Sequence, residues 1–134
     1  MTSIYITYKF GTRLHPVYNV YKTHYGIDIA SPKNTPVYAA KPGIVTVAQY
    51  HSSYGNYIMI DHLDGTTTLY AHLNTGTTKV QKGDTVQRGQ EIAGVGTTGL
   101  STGYHLHFEV RVNGNCVDPL NYLAVKPSNL TILG

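Results

Sequence analysis

The sequence predicts an all-β fold: a single compact domain of antiparallel sheet, built as a sandwich or half-barrel. Helical periodicity is nearly absent along the 134 residues, whereas short β-branched and aromatic runs recur throughout. Fourteen Gly and six Pro separate those runs with turn chemistry. The turns follow one another too closely for the long crossovers that parallel strands require.

Ile4 to Phe10 alternates and is rich in strand-forming side chains. Pro36 to Ala40 and Gly43 to Tyr50 read as short strands about the turn Lys41-Pro42-Gly43. Asn56 to His62 and Thr66 to Leu73 flank Leu63-Asp64-Gly65, where Asp-Gly supplies hairpin chemistry. Val80, Val86 and Gln90 to Val95 follow, punctuated by Gly83 and Gly89. The last clear strand, His105 to Val112, turns at Asn113-Gly114. No linker, repeat or low-complexity block divides the chain, so residues 1–134 are expected as one domain, with 124–134 a loosely packed extension.

Charged residues make up 13%, about half the ~25% of an average soluble domain. That argues against coiled coil, helical repeat or disordered tail. The net charge is +3, and the cations never form a run of three, so a nucleic-acid partner is not expected. Cys116 stands alone, which excludes an intrachain disulfide and a cysteine metal cluster. Apolar runs are too short to span a membrane, and the opening MTSIYITYKF lacks the layout of a signal peptide. The chain is expected to be cytosolic, exported by other means, or a piece of something longer.

Seven histidines are many for this length, and three segments place them usefully. In His105-Leu106-His107 the strand period of two puts His105, His107, Glu109 and Arg111 on one face. Leu106, Phe108 and Val110 take the other face, towards the core. Same-face neighbours start roughly 6.5–7 Å apart, so one imidazole can bind an ion while the next reaches a group bound to it. The alternative is an exposed face carrying two histidines by chance. In His24-Tyr25-Gly26-Ile27-Asp28, Gly26 and the β-branched Ile27 and Ile29 argue against a helix. A straight strand would hold His24 and Asp28 about 13 Å apart, so the segment must bend if both bind one ion, and Gly26 permits bending; an ordinary polar turn is the alternative. In Leu69-Tyr70-Ala71-His72-Leu73, alternation places Thr68, Tyr70 and His72 on one face and Leu69, Ala71 and Leu73 on the other. A histidine there is ordinarily structural.

Taken together these residues match a chemical count. A hydrolytic zinc site uses about three protein ligands and one open position for water. Asp28 and the four histidines supply that set, with two imidazoles left for proton transfer near neutral pH.

The motifs closely resemble those of the lysostaphin/LytM-type zinc metallopeptidases, which cleave the peptide part of bacterial peptidoglycan. Phe10-Gly11-Thr12-Arg13-Leu14-His15-Pro16 is similar to the family's lead-in, His24 and Asp28 to its HxxxD, and His105 and His107 to its HxH. Tyr70-Ala71-His72-Leu73 is similar to its catalytic-histidine segment. Pro36-Val37-Tyr38-Ala39-Ala40, Tyr54-Gly55-Asn56-Tyr57, Gly96 to Gly103 and Val117-Asp118-Pro119 extend the resemblance over about residues 10–123. It implies that His24, Asp28 and His107 bind one Zn2+ per chain and that His72 and His105 are the catalytic pair. It leaves open which of the pair takes the proton. It also implies a groove across the sheet, walled by loops 12–23, 50–55, 74–79 and 97–104.

The implied function is a zinc-dependent endopeptidase acting on peptidoglycan stem peptides or cross-bridges. The alternative is a catalytically silent wall-binding or hydrolase-activating module of the same fold. The implied partner is the peptidoglycan peptide, with no nucleic acid and no membrane. The chain is expected as a monomer or a module of a larger protein, at the bacterial cell wall or outside the cell, including within a phage tail protein or lysin. Tyr18 and Tyr21, just before His24, either line the groove or are ordinary surface tyrosines. His15 and His62 are expected as structural, His51 as an exposed loop residue, Ser101 as a turn residue and Cys116 as an inert thiol. Val80 to Ala93 resembles a stretch of biotinyl and lipoyl carrier domains, but the modifiable Lys context those require is missing.

Overall fold

The computed structural model describes residues 4–8, 10–15, 20–101, 103–119 and 130–132. Its strands in chain order are β1 (Ile4–Tyr8), β2 (Gly11–His15), β3 (Val20–His24), β4 (Ile27–Ala30), β5 (Pro36–Tyr38), β6 (Gly43–His51) and β7 (Gly55–Asp61), then β8 (Thr66–Leu73), β9 (Thr85–Val86), β10 (Glu91–Gly94), β11 (His105–Val112), β12 (Asn115–Val117) and β13 (Leu130–Ile132). The main sheet runs β13-β1-β4-β11-β8-β7-β6-β9, with β12 joined to β11. Strands β5 and β10 form one small sheet, and β2 and β3 another. The expected antiparallel all-β architecture is therefore what the chain adopts.

Three details differ from the sequence reading. Within the expected extension, residues 130–132 form a strand that pairs in parallel with Ile4, Tyr5 and Ile6. The expected loop 12–23 contains the β2–β3 hairpin, in register from Gly11↔His24 to His15↔Val20; Thr12, Val20 and Thr23 are β-branched and suit it. The third concerns Gly26. The chain does bend between β3 and β4, yet Gly26 is not among the glycines of positive φ. A Cβ there would collide with the Phe108 carbonyl oxygen and stand 2.9 Å from Glu109 Cγ. Glycine is needed because β11 passes so close, not because the backbone is left-handed.

The core joins Ile58, Ile60, Tyr70, Phe108 and Val110 of the main sheet to Val37 and Ile92 of the β5–β10 pair. Each such side chain contributes about 1.5–3 kcal/mol by leaving water. Phe108 and Val110 are buried on this side, as their alternation along β11 requires. The opposite side of β11 faces a groove. At its far end β11 turns into β12 through Asn113 and Gly114, both of positive φ, the hairpin geometry that Asn-Gly favours.

Candidate metal and catalytic site

Strand register assembles the site. Antiparallel pairing of β4 with β11 sets Asp28 directly opposite His107 and Ala30 opposite His105. On the other flank, β8 sets Ala71 opposite His107. The bend at residues 25–26 returns His24 to the same place, so its Nε2 lies 3.4 Å from Asp28 Oδ1. His107 Nδ1 is 2.9 Å from the same oxygen, and His105 Nε2 is 3.7 Å from it. One donor atom from each of His24, Asp28 and His107 falls within 4.8 Å of the others. Two imidazoles and a carboxylate converging so tightly suit a divalent metal such as zinc.

The electrostatics agree with a cation site. Burial opposes the charge on Asp28, but hydrogen bonds from His107 and His24 outweigh it and hold its carboxyl well below the usual range. Burial likewise opposes a charged His107, yet its bonds to Asp28 and Glu109 push it up to about 9. The pocket thus stabilises positive charge at the point where the three donors meet.

His72 and His105 stand beside this group, their ring centroids 4.8 Å apart. His72 Nδ1 lies 2.7 Å from the Thr98 carbonyl oxygen, and His105 Nδ1 lies 2.8 Å from that of Gly103. A carbonyl only accepts, so each ring carries its proton on Nδ1 and offers Nε2 as a lone pair. Burial, followed by the positive potential of His105 and His107, keeps His72 below the ordinary histidine value and therefore neutral at pH 7.

The strict alternation expected for β8 fails at His72. Tyr70 pairs with Phe108 and packs on its ring at 5.3 Å, which is the core side. His72 nevertheless reaches the groove, because its φ of +61° breaks the alternation. Three hydrogen bonds hold this left-handed residue: His72 N–H to Tyr54 O at 2.7 Å, Gly96 N–H to His72 O at 3.0 Å, and the ring to Thr98 O. A non-glycine residue in this conformation costs about 1–2 kcal/mol and is found where function requires it.

All five residues line one groove of about 530 Å3, together with Tyr54. The sequence model of Peptidase family M23 matches residues 22–119, which include all five. The chain belongs to that family. It is 43% identical over 122 residues to the DD-carboxypeptidase/endopeptidase Mpg of Neisseria meningitidis, covering 91% of this chain and 28% of that protein. A zinc-containing peptidase from Vibrio cholerae superposes with a TM-score of 0.80 at 43% identity, covering 91% of this chain and 37% of that one. The catalytic domain of lysostaphin from Staphylococcus simulans superposes with a TM-score of 0.78 at 32% identity, covering 90% and 92% of the two chains. The chain thus spans under a third of the curated relative it matches, but nearly all of an isolated catalytic domain. The resemblance to lysostaphin-type metallopeptidases holds.

The groove of this M23 domain is walled partly as expected. Ser53 and Tyr54 line it from loop 50–55, and Leu100, Ser101, Gly103 and Tyr104 from loop 97–104, whereas residues 74–79 do not. Tyr18 lies outside the described residues, and of Tyr21 and His15 only their places in β3 and β2 are described. His51 is exposed and accepts the Ser53 and Tyr54 N–H groups, closing the turn after β6. His62 is buried behind the sheet, its Nδ1 2.9 Å from Pro42 O and its Nε2 2.8 Å from Thr68 Oγ1. Ser101 donates to Gly103 O at 2.8 Å and sits 3.3 Å from His105 Nδ1, a turn role beside the site.

Glu109 is the residue whose importance the sequence did not disclose, although its place on the His105–His107 face was legible. It is 1% exposed, and its Oε2 lies 2.8 Å from His107 Nε2. Burial works against its charge, but bonds from His107, Tyr54 and Arg111 bring it down to about 2.

Proposed function

We propose that this chain is a zinc-dependent endopeptidase domain that hydrolyses peptide bonds in the stem peptides or cross-bridges of bacterial peptidoglycan. The observation that carries this reading is the convergence of His24, Asp28 and His107 within 4.8 Å, beside two histidines of fixed tautomer in one groove. His24, Asp28 and His107 would hold one zinc ion. Bound there, zinc lowers the pKa of a water molecule towards ~7 and polarises the scissile carbonyl.

The remaining work falls to His72 and His105. Each is anchored through Nδ1 and presents Nε2 to the groove, so either can accept a proton from water and return it to the leaving amine. The second, with its Nδ1 proton held by the backbone, donates from Nε2 to the oxygen on which charge develops only in its imidazolium form. The neutral state of His72 suits it to acceptance near pH 7. An extended peptide would lie across the sheet between Tyr54 and loop 97–104. The place of action is the bacterial wall, whether the domain arrives alone or within a larger secreted or phage protein.

Mass spectrometry of muropeptides released from two purified walls, one glycine-bridged and one directly cross-linked, tests this. New fragments that need both metal and His105 establish the activity, and their masses name the bond. No fragments from either wall, with one zinc still bound per chain, would favour a silent binding or activating module instead.

A further inference from the structure

We infer that Glu109 is a positioning residue that makes His107 a metal ligand through Nδ1, and that Tyr54 and Arg111 hold Glu109 in that role. The inference rests on reading His24, Asp28 and His107 as a metal site. A buried carboxylate is costly unless its lone pairs are filled. Those of Glu109 are filled from separate elements. Oε2 accepts from the Tyr54 hydroxyl at 2.7 Å and lies 2.8 Å from His107 Nε2. Oε1 accepts from Arg111 Nε at 3.1 Å and Nη2 at 2.8 Å, with the Cys116 thiol at 3.5 Å.

A carboxylate so placed only accepts, and therefore His107 must keep its proton on Nε2. Nδ1 also carries a proton in the metal-free protein, shared with Asp28; because Glu109 retains the Nε2 proton, the Nδ1 proton is the one a metal displaces, and the lone pair it meets is at Nδ1. This is the mirror image of His72 and His105, whose backbone anchors hold the proton on Nδ1 and free Nε2. The anchors thus divide three neighbouring histidines into one ligand and two proton carriers. A charged anchor also makes the ligating nitrogen more basic, which a backbone carbonyl does less strongly. Tyr54 adds a second restraint, its ring stacked on that of His107 at 5.8 Å and 27°. Since Tyr54 belongs to the turn that walls the groove, the wall and the ligand are mechanically joined.

The test uses the full chain, titrated with Zn2+ against a chromophoric chelator, and the imidazole N–H proton resonances of the zinc-loaded protein. Wild type is expected to bind one zinc and to show a strongly deshielded His107 Nε2–H. Failure of wild type to bind zinc would sink the metal reading itself, separately from the role of Glu109. Glu109→Gln is expected to weaken zinc binding roughly 10–100-fold and to move that resonance upfield. Tyr54→Phe should move both in the same direction by less. Thr68→Val, which breaks two buried hydrogen bonds behind the sheet, to His62 and Tyr70, should leave both unchanged. Wild-type affinity and an unshifted resonance in Glu109→Gln would overturn the inference. If that variant does not fold, an unshifted resonance in Tyr54→Phe would do so.

Discussion

His72 and Tyr70 are two residues apart on one strand, yet they face opposite sides of the sheet, because His72 adopts a φ of +61°. Tyr70 meets Phe108 in the core, and the His72 ring meets that of His105 in the groove. The conformation dictates which substitutions are informative. Asn tolerates the left-handed region better than Ala does. His72→Asn is therefore expected to keep the wild-type melting temperature within a few degrees and to bind zinc, while peptide hydrolysis falls about 10²–10⁴-fold. Calorimetry, a zinc titration and a muropeptide assay on the same preparation measure all three. Hydrolysis at the wild-type rate would remove His72 from the reaction.

Metal and fold should be linked through the same geometry. The three ligands come from the end of β3, from β4 and from β11, so an ion bound to them ties those segments together. Zinc at 100 times its dissociation constant adds about 2.7 kcal/mol, on the order of 10 °C in a domain of this size. His107→Ala should lose zinc and this heat resistance together. A melting temperature that does not move on complete chelation would refute the linkage.

The metal-free protein should respond to pH with the opposite sign to metal binding. His107 sits at about 9 in the fold against an ordinary 6.5, so its contribution is complete below 6.5 and is lost as pH rises through 9. Glu109 sits at about 2 against 4.5, so its contribution holds above 4.5 and is lost as pH falls through 2. Without metal, the melting temperature should therefore decline from pH 6.5 towards 9. Zinc must displace the Nδ1 proton of His107, so its affinity climbs over that same window. Melting curves with chelator and with excess zinc should diverge between pH 6.5 and 9. Parallel curves would show that His107 does not titrate there.

Much of this was legible in the sequence because period-two alternation and turn chemistry are local signals. β11 shows it best: Phe108 and Val110 are buried in the core and His105 and His107 face the groove, as alternation alone requires. The need for a bend between His24 and Asp28 followed from strand rise. What stayed hidden is set by tertiary contacts. The turn of His72 onto the groove depends on hydrogen bonds to Tyr54, Gly96 and Thr98, none of them neighbours in sequence. Glu109 reads as one more polar residue until Tyr54 and Arg111 are seen to saturate it. The pairing of β13 with β1 joins the two ends of the chain, which no local pattern reveals.

Gly26 offers the sharpest test of how the site is positioned. The bend places His24 over Asp28 only if β11 can run directly beneath it, and a Cβ at 26 would strike the Phe108 carbonyl. Phe108 cannot yield easily, since its partners Ile27 and Tyr70 are both fully buried. Gly26→Ala should therefore destabilise the domain by about 1–3 kcal/mol, as overpacking does. It should also weaken zinc binding, because the displaced segment carries His24. Gly103→Ala serves as a control for stability: a Cβ there meets nothing within 4 Å, so the cost should stay within about 0.5 kcal/mol. Urea denaturation of both variants, with zinc titrations alongside, separates the effects. Loss of stability at Gly26 with full zinc affinity would mean that the close approach serves the core alone and that His24 finds its place by other means.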